Sequence, residues 1–203
     1  IVINANGERF VDEGEDLRNY TYAKFGREVI KQPKQFAWQI FDQKVRPMLY
    51  SEYDVKTATK VKANSIEELV KKLKGVNSKK ALSTIKKYNS SVVSEIKFDP
   101  TIKDGKKTIG LKINKTNWAN KIDTGPYYAY GVTCGITFTF GGLKVNNQCE
   151  VLNRRNKPIK GLFAAGEMVG GIFYVNYPGG SGLTSGAVFG RIAGQHAAKL
   201  RNI

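Results

Sequence analysis

Few side chains here can bind a metal or cross-link the chain: 203 residues include two cysteines and one histidine. Cys134 and Cys149 have neither metal-ligand spacing nor a disulfide framework, so no metal site and a reducing, cytosolic compartment are expected. The lone histidine, His196, falls late on an expected helix, which argues against a serine triad. No apolar run is long enough to cross a bilayer, so no transmembrane segment is expected. The opening, IVINANGERFVDEG, has neither the basic start nor the apolar block of a signal peptide. Acidic residues are scarce too, 17 against 33 Lys and Arg, giving a net charge of +16.

A basic balance of that size suits nucleic acid, an anionic membrane surface or an acidic small molecule. The lysines crowd into VKKLKG, NSKKALSTIKKY and KDGKKTIGLKINK, on polar helix faces or in turns. A solvated surface accounts for them, and no zinc spacing or aromatic stacking motif for nucleic acid accompanies them. No nucleic-acid partner is expected, and a basic, non-catalytic nucleic-acid-binding module stands as the alternative from another class. Hydrophobic residues make up 41%, the content of a globular protein.

The pattern along the chain is mixed. IVINANGERFV is two alternating runs joined by Asn6-Gly7, a hairpin signal. A helix is expected over about 20–31, ending before Pro33, followed by the strand QFAWQIFD. Ser65 and Glu68 form a capping box opening SIEELVKKL, and Gly75 closes that helix. KKALSTIKKYN places Leu82, Ile85 and Tyr88 on one helical face. From Val132 a β-rich run, GVTCGITFTFGGLKVN, is expected, then short strands around the turn at Asn156-Lys157-Pro158. A last helix is expected over about 183–201, with glycines 182, 186, 190 and 194 sharing a face that permits close approach.

Glycine is densest in FAAGEMVGGIFYVNYPGGSGLTSGAVFGRIAG, residues 163–194. NYPGGSGLTSG is a glycine loop running into a helix N-terminus, where unpaired N–H groups and the dipole favour an electronegative atom. It lacks the Gly-Lys-Ser/Thr of a phosphate loop. Leu183 stands where a nucleophile elbow needs its last glycine.

Together, GLFAAGEMVGG and NYPGGSGLTSGAVFGRIAG resemble the C-terminal end of the FAD domain in the fumarate reductase/succinate dehydrogenase flavoprotein superfamily. NANGERFVDE, TGPYYAY and FTFGGLKVN match the same family in the same order, so the resemblance spans almost the whole chain. DEGEDLRNYTYAKFGR and YVNYPGGSGLTSGAVFGR are most similar to its tricarballylate dehydrogenase branch. The resemblance implies FAD as cofactor and an α+β fold. Residues 1–131 would form a substrate-capping domain. Residues 132–203 would supply the C-terminal strands and helix of an FAD-binding domain of the Rossmann-like, glutathione-reductase type. Members of the family begin with a strand–Gly-x-Gly-x-x-Gly–helix unit. The sequence has none, so it is expected to be the C-terminal half of a longer flavoprotein, inactive by itself.

The same resemblance assigns roles. Gly180, Ser181, Gly182, Leu183 and Thr184 would lie beside the pyrimidine edge of the flavin, where the helix dipole stabilises negative charge. Glu167 matches the acidic residue that binds a cofactor sugar-chain hydroxyl, although a helix or turn cap fits it equally. Arg18 falls near the arginine that gives or takes a proton in fumarate reductases, one residue out of register. Because arginine stays protonated, that role requires a carboxylate relay, for which Glu13, Glu15 and Asp16 are at hand. The bland alternative is an exposed arginine beside a helix-capping Asp16.

Two departures bear on the substrate. Thr137 and Phe138 stand where fumarate reductases have a histidine, and Tyr177-Pro178 where they have an arginine. Both lost groups bind substrate carboxylate in that family, so fumarate and succinate are disfavoured, and Thr137, Phe138 and Tyr177 are the expected substrate-binding residues. The implied reaction oxidises a C–C single bond of a small polycarboxylate, tricarballylate to an aconitate. A ketosteroid-type or fumarate-reductase-type reaction is the alternative. The implied partners are a small-molecule carboxylate and a separate electron-acceptor protein or quinone system. A cytoplasmic location is expected, the inner face of the membrane included.

Overall fold

Strand β1, Val2–Asn4, enters the turn predicted at Asn6-Gly7, and the turn forms. Gly7 is at φ +78° and donates to Asn4 O at 2.9 Å, while the Asn4 carboxamide oxygen accepts from the N–H groups of Asn6 and Glu8. The returning leg of the hairpin shrinks to one bridge, Ile3 to Arg9. In this computed structural model residues 1–137 and 139–200 are described. They fall into two units, Ile1–Cys134 and Gly135–Ile203.

The first unit continues with α1 (Arg18–Ile30), β2 (Phe36–Asp42), β3 (Lys60–Ala63), α2 (Ile66–Lys72), α3 (Ser78–Ser91) and β4 (Tyr127–Thr133). Its sheet has the order β1-β2-β4-β3, all antiparallel, with Trp38 opposite both Ile3 and Gly131. The predicted capping box is present: Ser65 Oγ accepts from Glu68 N at 3.1 Å. The Glu68 carboxylate reaches back one residue further than expected, to Asn64 N. Ile85 and Tyr88 of α3 are buried as predicted and Leu82 is partly so, with Ala81 completing the inward face. These side chains join Ile3, Trp38, Ile40, Leu69 and Ala129 in one apolar core. The 131/132 boundary expected from composition falls inside β4.

The second unit holds β5 (Glu150–Leu152), β6 (Pro158–Phe163) and α4 (Ser181–Ala197). β5 and β6 pair around the predicted turn, with Asn156 at φ +57°. The β-rich run predicted from Val132 is not one among the described residues: past Thr133 these make only single bridges, Leu143 to Val169 and Val145 to Val151. The two segments meet side by side in one parallel bridge, Leu143 N donating to Met168 O at 2.7 Å and Gly170 N to Leu143 O at 3.0 Å, and a Cβ on Gly170 would lie 2.5 Å from Gly142 N. The glycine face of α4 also differs from expectation. Gly186 approaches Gly166 Cα at 3.8 Å from its would-be Cβ, whereas Gly190 and Gly194 face open space among the described residues. The predicted end of this helix near 201, like Phe138, lies outside the described residues.

Candidate functional site

Arg18 is the first residue of α1, on a turn whose shape comes from the carboxylates before it. The Asp16 carboxylate accepts from Leu17 N at 2.8 Å, and Asp12 accepts from Gly14 N at 2.8 Å. The exposed Arg18 guanidinium stacks over the Tyr50 ring, 4.8 Å from its centroid. None of the three expected relay carboxylates is paired with it. Glu13 takes Arg9 at 2.5 Å, Glu15 takes Lys24 at 2.5 Å and Asp16 takes Lys103 at 3.2 Å.

Arg18 lines a cavity of about 580 Å³ together with Phe41, Asp42, Lys115, Trp118 and Lys121. The Asp42 carboxylate is already occupied: it accepts from the N–H groups of Lys44, Asp123 and Thr124 and pairs with Lys44 Nζ at 3.0 Å. Sequence reasoning missed Lys115 and Trp118. Their loop has no periodicity, and only folding brings it against α1 and β2.

In the second unit the predicted residues converge. Thr137, Glu167, Gly182 and Leu183 line one pocket of about 320 Å³ with Thr139 and Phe173. Gly180, Ser181 and Thr184 line an adjoining concavity of about 510 Å³ that shares Phe173. Tyr177 packs its ring edge-on to Phe140, centroids 5.8 Å apart, and stands 5.9 Å from Phe173. The Glu167 Oε1 accepts from Thr139 N, 28 residues earlier, at 2.8 Å.

The start of α4 is open. Gly180, the N-cap, is left-handed at φ +80° and has no side-chain cap. Ser181 N donates to Pro178 O and Thr184 N to Gly180 O, both at 3.1 Å. Among the described residues no acceptor meets the N–H of Gly182 or Leu183. Nothing lies within 4 Å of a Cβ placed on Gly180. Two outward N–H groups, the positive end of a helix and an aromatic-walled slot suit a flat, electron-poor ring whose edge carries carbonyl oxygens.

The chain matches the family described as an FAD binding domain over residues 1–183. It belongs to that family. FAD is therefore the cofactor of the family. The chain is 35% identical to the probable fumarate reductase Ifc3 of Shewanella frigidimarina (strain NCIMB 400), covering 98% of this chain and 31% of that protein. Among solved structures, the open conformation of a flavocytochrome c3 fumarate reductase superposes with a TM-score of 0.74 at 34% identity, covering 98% of this chain and 32% of that one. The 3-ketosteroid delta1-dehydrogenase of Sterolibacterium denitrificans has a TM-score of 0.67 at 24% identity, over 99% of this chain and 39% of that one. That last likeness shows the fold alone. The chain spans about a third of the length of these relatives. No described helix is long and apolar enough to cross a membrane.

Proposed function

We propose that this chain is part of an FAD-dependent oxidoreductase acting on a carbon–carbon bond of a small carboxylate. Residues 1–131 would form its substrate-capping domain and 132–203 the closing part of its FAD domain. The observation that carries the reading is the open N-terminus of α4 in a chain of the FAD binding domain family. We assign tricarballylate as the substrate, on the runs DEGEDLRNYTYAKFGR and YVNYPGGSGLTSGAVFGR and on the cationic cavity around Arg18.

FAD, when bound, supplies a hydride acceptor. The chain's own residues do the rest. Gly182 and Leu183 N–H groups orient the ring edge, and the α4 dipole favours negative charge there. Tyr177, Thr137 and Phe138, the residues that the resemblance assigns to the substrate, carry no fixed charge. Arg18 manages the proton at the carbon next to the one that loses hydride, and Tyr50 holds its guanidinium in place. In the oxidative direction the Arg18 site must first have passed a proton on. Glu13, Glu15 and Asp16 are engaged elsewhere, so the relay runs through groups other than these.

A second reading is favoured by the relatives named as fumarate reductases at 34–35% identity. The same residues would then run the reverse step, with the Arg18 guanidinium giving its proton to an enoate.

The test is Arg18→Lys in the full-length flavin-loaded enzyme, read by stopped-flow flavin reduction at saturating tricarballylate. Lysine keeps the charge and loses the planar fork. The limiting rate is expected to fall by about 100-fold or more with the flavin spectrum intact. An unchanged limiting rate with a raised KM makes Arg18 an anchor for carboxylate and removes it from proton transfer.

A further inference from the structure

Lys115 is a partly buried cation whose ammonium has no counter-ion among the described residues. Among the described residues its Nζ has neither a carboxylate within ion-pair distance nor a hydrogen-bond acceptor, although its backbone N–H donates to Thr108 Oγ1 at 2.8 Å. The acidic groups that act on it are committed elsewhere. Glu13 is held by Arg9, and Asp12 by Gly14 N and Thr116. Asp104 accepts from the N–H groups of Asp99, Lys106 and Trp118. Burial pushes the Lys115 ammonium below the ordinary lysine value. Glu13 opposes that shift and Arg9 adds to it.

An ammonium that has lost part of its water and has no partner is costly. On the wall of a cavity the cost is relieved when an anion enters. The cavity that Lys115 lines has two other cations, Arg18 and Lys121, and a single carboxylate, Asp42, which is turned to other partners. Phe98 and Trp118 supply apolar wall for a carbon skeleton. At about 580 Å³ the volume lies within the range of small-molecule sites.

We propose that Lys115 is a specificity-determining residue, its ammonium taking one carboxylate of a small polycarboxylate while Arg18 faces another part of the same molecule. This rests on the reading that Arg18 works on a carboxylate substrate. It would supply positive charge to a chain that lacks the histidine and arginine expected to bind carboxylate in fumarate reductases.

The test is calorimetric titration of the 203-residue chain with tricarballylate and, separately, with its neutral triamide. The parent is expected to bind tricarballylate and give no heat with the triamide. Lys115→Met is expected to weaken binding about tenfold or more, and Lys115→Arg to stay within about threefold of the parent. Lys115→Met is also expected to unfold at no lower urea concentration than the parent. A clear loss of stability would mean that the ammonium is already paired, and overturns the proposal. So does unchanged affinity in Lys115→Met, equal heat from the triamide, or no binding by the parent. Binding heat needs no flavin, so failure of the Arg18→Lys experiment leaves this result readable on its own.

Discussion

At the scale of single residues, one ion pair organises the ground beneath the cavity. Arg9 grips Glu13 with two nitrogens, Nε at 3.0 Å and Nη2 at 2.5 Å, and both side chains are under a tenth exposed. Arg9 also donates to Ile113 O, and Glu13 accepts from Val2 N, so the pair ties β1 to the loop that carries Lys115. Burial pushes the Glu13 carboxyl up, but the Arg9 hydrogen bond and the surrounding positive charges overcome it and hold the group at about 2, against an ordinary 4.5. A depressed carboxyl stabilises the fold above its unfolded value, and that contribution is lost as pH falls towards the folded value. Glu13→Gln is therefore expected to cost ~3 kcal/mol at neutral pH. The gap to the parent should close between about pH 4.5 and 2. Urea unfolding followed by tryptophan fluorescence checks it, because both tryptophans, Trp38 and Trp118, lie in the first unit. A gap that does not change with pH would show that the pair carries no net electrostatic stabilisation.

At the scale of elements, local chemistry set the turns and caps, and contact with a neighbour decided how far each strand ran. Gly7 illustrates both. Its φ of +78° is the turn signal read from Asn6-Gly7, but its fixed place comes from α3. A Cβ there would lie 2.5 Å from Ala81 N, and Thr84 Oγ1 donates to Gly7 O at 2.7 Å. Gly7→Ala is expected to destabilise the first unit by on the order of 3 kcal/mol, from left-handed strain plus overpacking. Gly105→Ala, at φ +67° with open space around it, should cost only the backbone strain, ~1 kcal/mol. Urea midpoints that fall equally for the two variants would rule out the contact with α3 as the cause. GVTCGITFTFGGLKVN shows the opposite case. Its β-branched and aromatic residues read as strand, yet among the described residues its partners past Thr133 are single bridges, at Leu143 and Val145.

At the scale of the molecule, α4 buries none of its residues, and Leu183 at its start is 84% exposed. The relatives are about three times as long as this chain, and the sequence contains no Gly-x-Gly-x-x-Gly unit for a pyrophosphate. Under the proposed function, what the chain would offer FAD is the edge at Gly180–Thr184, two N–H groups and a helix dipole. The 203-residue chain is accordingly expected to lose FAD on gel filtration, with a dissociation constant above roughly 10 μM. Stoichiometric flavin retained through the column would mean that this edge suffices. Lys79, Lys80, Lys86 and Lys87 on the outer side of α3 are exposed, as the solvated-face reading of NSKKALSTIKKY expects, whereas in KDGKKTIGLKINK Lys106 is buried and Lys115 partly so.

The apolar run FAWQIFD, the periodicity of KKALSTIKKYN, the cap at Ser65 and the turns at Gly7 and Asn156 are local, so the sequence alone determined them. Each depends on neighbours a few residues away and on backbone freedom. Thr137, Glu167, Gly182 and Leu183 were found by motif, and folding brought them to one pocket. The Arg18 relay fared otherwise. Glu13 is near Arg18 in sequence, but Arg9 and Val2 claim its carboxylate once β1 and the 113–122 loop meet. Lys115 is 97 positions from Arg18 and carries no pattern of its own, so only the tertiary structure could put both cations on one cavity. Charge pairing and cavity formation depend on which distant segments lose water together, and that is settled by packing.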